Sequence, residues 1–204
     1  MLSKLVIMQF KLLAQSPLLL LSSLVAPFGM YALVPGFNSS AFPGFLIVYI
    51  VFSPQSGGDG LYKLEITRCH FPVTRRELIQ GLFLFQAAMV LVAGLIAAGF
   101  VAMMELVSSQ VFMRQIIPKA MALSLVVAGI SPCLALNAPQ NIARAISALI
   151  NMAITLLLVL TKTGEEVFLS WLSLPACLAI GMTSFIACYL IALKQPEATQ
   201  RRPA

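Results

Sequence analysis

Charge is scarce in this chain. Asp, Glu, Lys and Arg make up 10% of its 204 residues, where soluble domains carry about 25%. Hydrophobic residues reach 60%, against about 45–50% in soluble domains, and the mean hydropathy is +0.96. So little polar surface cannot cover a fold of this size in water. A globular domain in water is therefore excluded, and an integral membrane protein in a lipid bilayer is expected. The net charge of +6 does not make a nucleic-acid footprint, because the basic residues lie between apolar runs instead of gathering on one face. That placement is where membrane topology is set, and no nucleic-acid partner is expected.

The chemical inventory is equally thin. A single histidine rules out a metal-binding HExxH. No G-x-S-x-G elbow occurs, and no G-x-x-x-x-G-K-[ST] phosphate loop. "GGDGLYK" (57–63) is glycine-rich with the wrong spacing and reads as a flexible loop. If ATP drives this protein, a separate subunit hydrolyses it, and the chain itself is not expected to be an enzyme. The cysteines Cys69, Cys133, Cys177 and Cys188 form no CxxC pair. Three lie in apolar runs and read as small hydrophobes. Cys69 and His70 supply two ligands, which do not complete a metal shell, so neither metal nor cofactor is expected. Ionisable residues are almost missing from the apolar runs. Glu105, Lys119 and Arg144 each fall near an end of one. The lack of a buried carboxylate weighs against an ion-coupled secondary transporter.

What the chain has is long apolar runs. A membrane helix needs about 20 mainly apolar residues. Six stretches are the candidates: Pro17–Val34, Ala41–Ser53, Leu78–Met104, Ala120–Leu136, Ile142–Leu160 and Val167–Leu193, of which the second is short and contains Pro43 and Gly44. The expected fold is all-α, a polytopic membrane protein of six transmembrane helices in one domain over 1–204. The connections "PGFNSS", "SPQSGGDG", "LNAPQN" and "TKTGEE" are short and rich in turn residues. With the N-terminus inside, ten of the 13 basic residues fall on the inner side, leaving Arg114, Lys119 and Lys162 outside. Positive charge belongs inside, so both termini are expected to be cytoplasmic. Residues 1–16 place Leu2, Leu5, Val6, Phe10, Leu12 and Leu13 on one helical face and Lys4, Lys11 and Gln15 opposite. They read as an interfacial amphipathic helix or as an extension of the first span. No small-x-small site follows the first apolar run, so the segment is expected to be uncleaved.

Polar information concentrates in 54–77. Asp59 is a helix-start signal, and a short helix is expected over Gly60–Cys69. Phe71–Pro72 ends it, since a residue preceding proline avoids helical geometry. Thr74-x-x-Glu77 then has the spacing of a capping box, with Val73 and Leu78 as its hydrophobic staple. The loop thus restarts a helix and anchors it with Arg75 and Arg76; whether it also docks a partner is not decided by this chemistry. In the third span, Gly94 and Ala98 have small-xxx-small spacing, which serves either dimer contact or packing within one subunit.

"FPVTRREL" (71–78) resembles the L-P-V-[ST]-R-[KR]-E-[IL] motif of half-size bacterial ABC-2 type transporter permeases, with Phe71 in place of the usual leucine. Pro132 and Arg144 are similar to a second feature of those permeases, although "LNAPQN" stands where they carry an aromatic–glycine turn. The six-span layout, N-terminal helix and length are also similar. The resemblance implies a permease subunit of an ATP-binding cassette exporter in the bacterial cytoplasmic membrane. It would pair with a second permease subunit, as homodimer or heterodimer, and be driven by a cytoplasmic ABC ATPase subunit. The interfacial helix and the short loop helix would meet that motor, with Tyr62, Glu65, Arg68, Arg75, Arg76 and Glu77 as coupling residues. The alternative is a stand-alone membrane protein for immunity or sensing.

Overall fold

The computed structural model describes residues 42–56, 74–108, 116–137 and 173–194, with 6, 7, 11, 25, 27–29, 142, 145, 146, 148–150, 152 and 153 between them. All the regular structure among them is helical. The principal helices are α1 (Phe42–Ser56), α2 (Arg75–Ser108), α3 (Ile116–Asn137) and α4 (Leu174–Lys194). Among the described residues, three helices are long and apolar enough to cross a membrane: Arg75–Leu106, Ile116–Leu134 and Leu174–Lys194. The expected short helix over Gly60–Cys69 lies outside the described residues.

Helix α1 is apolar on every side, and its burial explains why. Phe42, Phe45, Leu46, Ile47, Val48, Ile50 and Val51 are all buried against α2 and α3. A helix apolar all round needs an apolar enclosure. Its 15 residues extend about 22 Å at ~1.5 Å each, less than the ~30 Å of a bilayer core. Phe42 opens α1 and meets Phe100 near the end of α2 with ring centroids 5.0 Å apart. Phe28 closes the trio, at 5.4 Å from Phe42 and 5.3 Å from Phe100. The start of α1 therefore shares a level with the end of α2, as an antiparallel pair requires.

Helix α2 runs the length of the bundle with two unlike faces. Leu78, Ile79, Leu82, Phe83, Gln86, Met89, Val90, Ala93, Ala97 and Val101 are buried, at the three- and four-residue steps of one helical face. The other face leaves Leu95 74% and Leu106 88% exposed. Exposed apolar surface on this scale belongs in lipid or against another protein, not in water. The Gly94–Ala98 pair divides between two faces. Gly94 is buried against Met121 of α3, but Ala98 faces outward, and Ala93 and Ala97 are the fully buried alanines. Gly94 thus serves packing within the subunit.

Helices α3 and α4 form the most extensive contact, and they run parallel. Gly181 of α4 lies against Ala122 and Leu125 of α3, while Gly129 lies against Phe185 and Cys188. Further along, Ala192 shares a cluster with Cys133 and Leu136. Both chains advance together through these contacts. Helix α2 is antiparallel to both: Ile79 joins the Ala192–Leu136 cluster, whereas Gly94 meets Met121. Thr74, Asn137 and Lys194 therefore mark one end of the bundle. Pro132 sits inside α3, where it removes the bond to the Ala128 carbonyl. Spanning helices tolerate such prolines when neighbours pack around them. Residues 167–172 of the expected last span lie outside the described residues. Helix α4 begins at Leu174, because Ser173 caps it by accepting from the Ala176 N–H at 3.4 Å, and Pro175 fits a first turn.

Candidate functional site

The N-terminus of α2 holds the described part of the candidate coupling site. Thr74 precedes the helix, and its N–H donates to Glu77 Oε2 at 3.0 Å. Its hydroxyl donates to the same oxygen at 2.8 Å, and the Glu77 N–H points back to Thr74 Oγ1 at 3.3 Å. Two amide donors that no helical carbonyl reaches are thus satisfied reciprocally. Leu78 begins the buried face and packs with Leu82 and Leu136. The cap fixes the rotation of the first turn, and that rotation decides where the arginines point. Arg75 is half-buried and Arg76 is exposed. Alanine at Thr74 removes both hydroxyl bonds to Glu77 and leaves the backbone N–H bond to its carboxylate. It is expected to cost about 1 kcal/mol, the usual value of a threonine N-cap, read as a lower unfolding midpoint in detergent.

Tyr62, Glu65 and Arg68, the other expected coupling residues, lie outside the described residues, as do Cys69, His70 and Val73. No group of three or more His, Cys, Asp or Glu side chains placed to hold a metal occurs among the described residues.

The structure also places polar groups where a reading of charged residues alone does not look. Gln86, Lys119, Ser124 and Ser131 are buried. The Ser124 hydroxyl donates to the Ala120 carbonyl of its own helix at 2.7 Å, which satisfies it without a partner helix. Gln86 lies on the buried face of α2, and counting turns from the Gly94–Met121 contact puts it level with Gly129 of α3. Its signal in the sequence was the amide inside the apolar run "LFLFQAAMV". Lys119 belongs to the first turn of α3. It stands near the helix end, as its place in the sequence indicates, and is buried there.

A family model described as ABC-2 family transporter protein matches residues 4–195. The chain belongs to the ABC-2 transporter family. No curated protein and no solved structure gives a significant match. As an ABC-2 transporter protein it is a membrane transport component, and its apolar helices fit that setting. The match spans all four helices and the loop that carries Thr74–Glu77. In this ABC-2 protein, Arg75 and Arg76 stand at one end of the bundle, directly beyond the buried Leu78.

Proposed function

We propose that this ABC-2 protein is the transmembrane permease subunit of an ATP-binding cassette exporter, with ATP hydrolysed in a separate cytoplasmic subunit. The family match over 4–195 carries the reading. Two copies, or this chain and a related permease, would enclose the translocation path. The cytoplasmic side is the end marked by Thr74, Arg75, Arg76 and Lys194, in keeping with the positive-inside rule. The motor would meet the protein through 54–77, with Tyr62, Glu65, Arg68, Arg75, Arg76 and Glu77 in contact, and through the N-terminal interfacial helix. In that segment Val6, Ile7 and Lys11 are helical. A push on the first turn of α2 travels along a single 34-residue helix whose buried face touches α1, α3 and α4.

The parallel course of α3 and α4 supports a six-span layout with both termini inside. A chain that leaves α3 at one end of the bundle and enters α4 at the other has to cross the layer in between. The expected fifth span, Ile142–Leu160, falls in that interval. Ile142, Ala145, Ile146 and 148–150 within it are helical, and Ile150 packs on the central core. Single cysteines at Lys162 and Gln140 test this crossing. A membrane-impermeant maleimide on intact cells is expected to label position 162 and to reach 140 only after permeabilisation. Labelling of both from one side would refute the crossing.

A further inference from the structure

The cysteines of α3 and α4 have no part in the coupling site, and two of them are neighbours. Gly129 and Gly181 let the two backbones touch. A Cβ on Gly129 would stand 2.9 Å from the Phe185 Cα and 3.5 Å from the Cys188 Cβ. Cys133 follows Gly129 by four residues and Cys188 follows Phe185 by three. Each cysteine therefore continues the face on which the helices meet. The Cys188 and Cys133 thiols are within hydrogen-bonding reach. Neither is in a disulfide and both are half-buried, packed with Ile79, Phe83 and Ala192. Phe83 braces the α4 side of this cluster edge-on, with ring centroids 5.3 Å from both Phe185 and Tyr189.

We infer that Cys133 and Cys188 form an oxidisable dithiol that a lipid-soluble two-electron oxidant converts to a disulfide joining α3 to α4. A disulfide needs Cβ atoms about 3.5–4.5 Å apart, and the Cys188 Cβ stands 3.5 Å from a Cβ position at Gly129, one helical turn before Cys133. The reaction balances within the pair. One thiol attacks the oxidant and loses its proton. The second thiol then attacks that sulfur, loses its own proton and expels the reduced oxidant. Two S–H bonds break, one S–S bond forms, and two electrons pass to the oxidant. The pair lies among apolar side chains, which charged, water-bound oxidants do not enter and lipid-soluble ones do. The bond closes the chain between residues 133 and 188 and holds the parallel helices at fixed register. Any conformational step that slides or parts α3 and α4 then waits for reduction.

Iodine, which partitions into membranes, is a suitable probe. It supplies the two-electron acceptor and leaves as two iodides. The full chain, in its own membranes, is treated with iodine, quenched with a maleimide and mapped by mass spectrometry. A Cys133–Cys188 linked peptide is expected, removed by dithiothreitol. In a Cys69→Ser/Cys177→Ser background both remaining thiols are expected to escape maleimide mass-tagging together. Adding Cys133→Ser should restore full tagging at Cys188. The idea is overturned if both thiols stay taggable after iodine, if Cys188 is lost without Cys133, or if the link joins two copies on a non-reducing gel. Peptide mapping of the unaltered chain decides the matter in the same way if a serine variant fails to accumulate.

Discussion

Alanine at Gly181 is expected to unravel the pairing of α3 and α4. A Cβ there would run into the Ala122 carbonyl oxygen, with the carbonyl carbon at 2.9 Å and Leu125 Cβ at 3.4 Å. The obstruction is backbone, so no side-chain rotation relieves it. Either the helices separate or α3 bends. Overpacking of a core costs about 1–3 kcal/mol, and a clash with immovable backbone belongs at ~3 kcal/mol or beyond. Separation would also weaken the Phe185–Phe83 contact and the packing around Ala192. Gly99 is the control. A Cβ there meets nothing within 4 Å, so Gly99→Ala should match the parent or gain up to ~1 kcal/mol from helix propensity. Thermal unfolding of both variants in the same detergent measures the contrast. Equal midpoints would show that the glycine-mediated contact does not hold the pair.

Reversing charge at α2's first turn is expected to break the link to the motor while leaving the membrane fold in place. Arg76 is exposed, so Arg76→Glu removes no core contact, and a carboxylate in a first turn suits the helix dipole. Lys63, Arg68 and Arg75 remain on that side, and acidic residues contribute little to the positive-inside bias, so insertion should follow the same orientation. Truncating one side of a hydrogen-bonded interfacial charge pair costs about 2–5 kcal/mol, and reversal adds repulsion. The lower bound already corresponds to a ~30-fold weaker association at about 1.4 kcal/mol per decade. Arg75→Glu/Arg76→Glu should go further, but Arg75 is half-buried, so the single Arg76 variant separates coupling from folding more cleanly. Unchanged yield and unfolding midpoint, with ATPase association lost, is the expected result.

These two expectations mark what the sequence made legible. The cap at Thr74 and Glu77 is a local device: its donors and acceptors lie three residues apart, so spacing alone indicates it. The apolar runs of α2 and α3 were visible for the same reason; α2 exceeds its expected span by a few residues at each end, and α3 mainly at its start, from Ile116 instead of Ala120. Contacts between helices were not legible. Nothing in the local sequence distinguishes Gly129 or Gly181 from Gly99, since what matters is the backbone each one meets. The Gly94–Ala98 spacing is visible in the sequence, but which of the two faces a partner helix is not: Gly94 is buried and Ala98 is exposed. Helix rotation is set by the partner helices, and they bury Ala93 and Ala97 instead. Lys119 shows the same limit: nothing in the local sequence marks this basic residue at a helix end as buried. Gln86 was legible in principle, as an amide in an apolar run, but a search for ionisable groups passes over it.

Isolation of the chain from its native membranes in a mild detergent, without cross-linker, tests the central reading most directly. A permease driven by a separate motor should bring with it, in stoichiometric amount, an ATPase subunit carrying a G-x-x-x-x-G-K-[ST] loop. The complex should hydrolyse ATP, and the Arg76→Glu chain should lose that partner. A folded chain recovered without any ATPase, under conditions that preserve other ATP-binding cassette complexes from the same membranes, would contradict it.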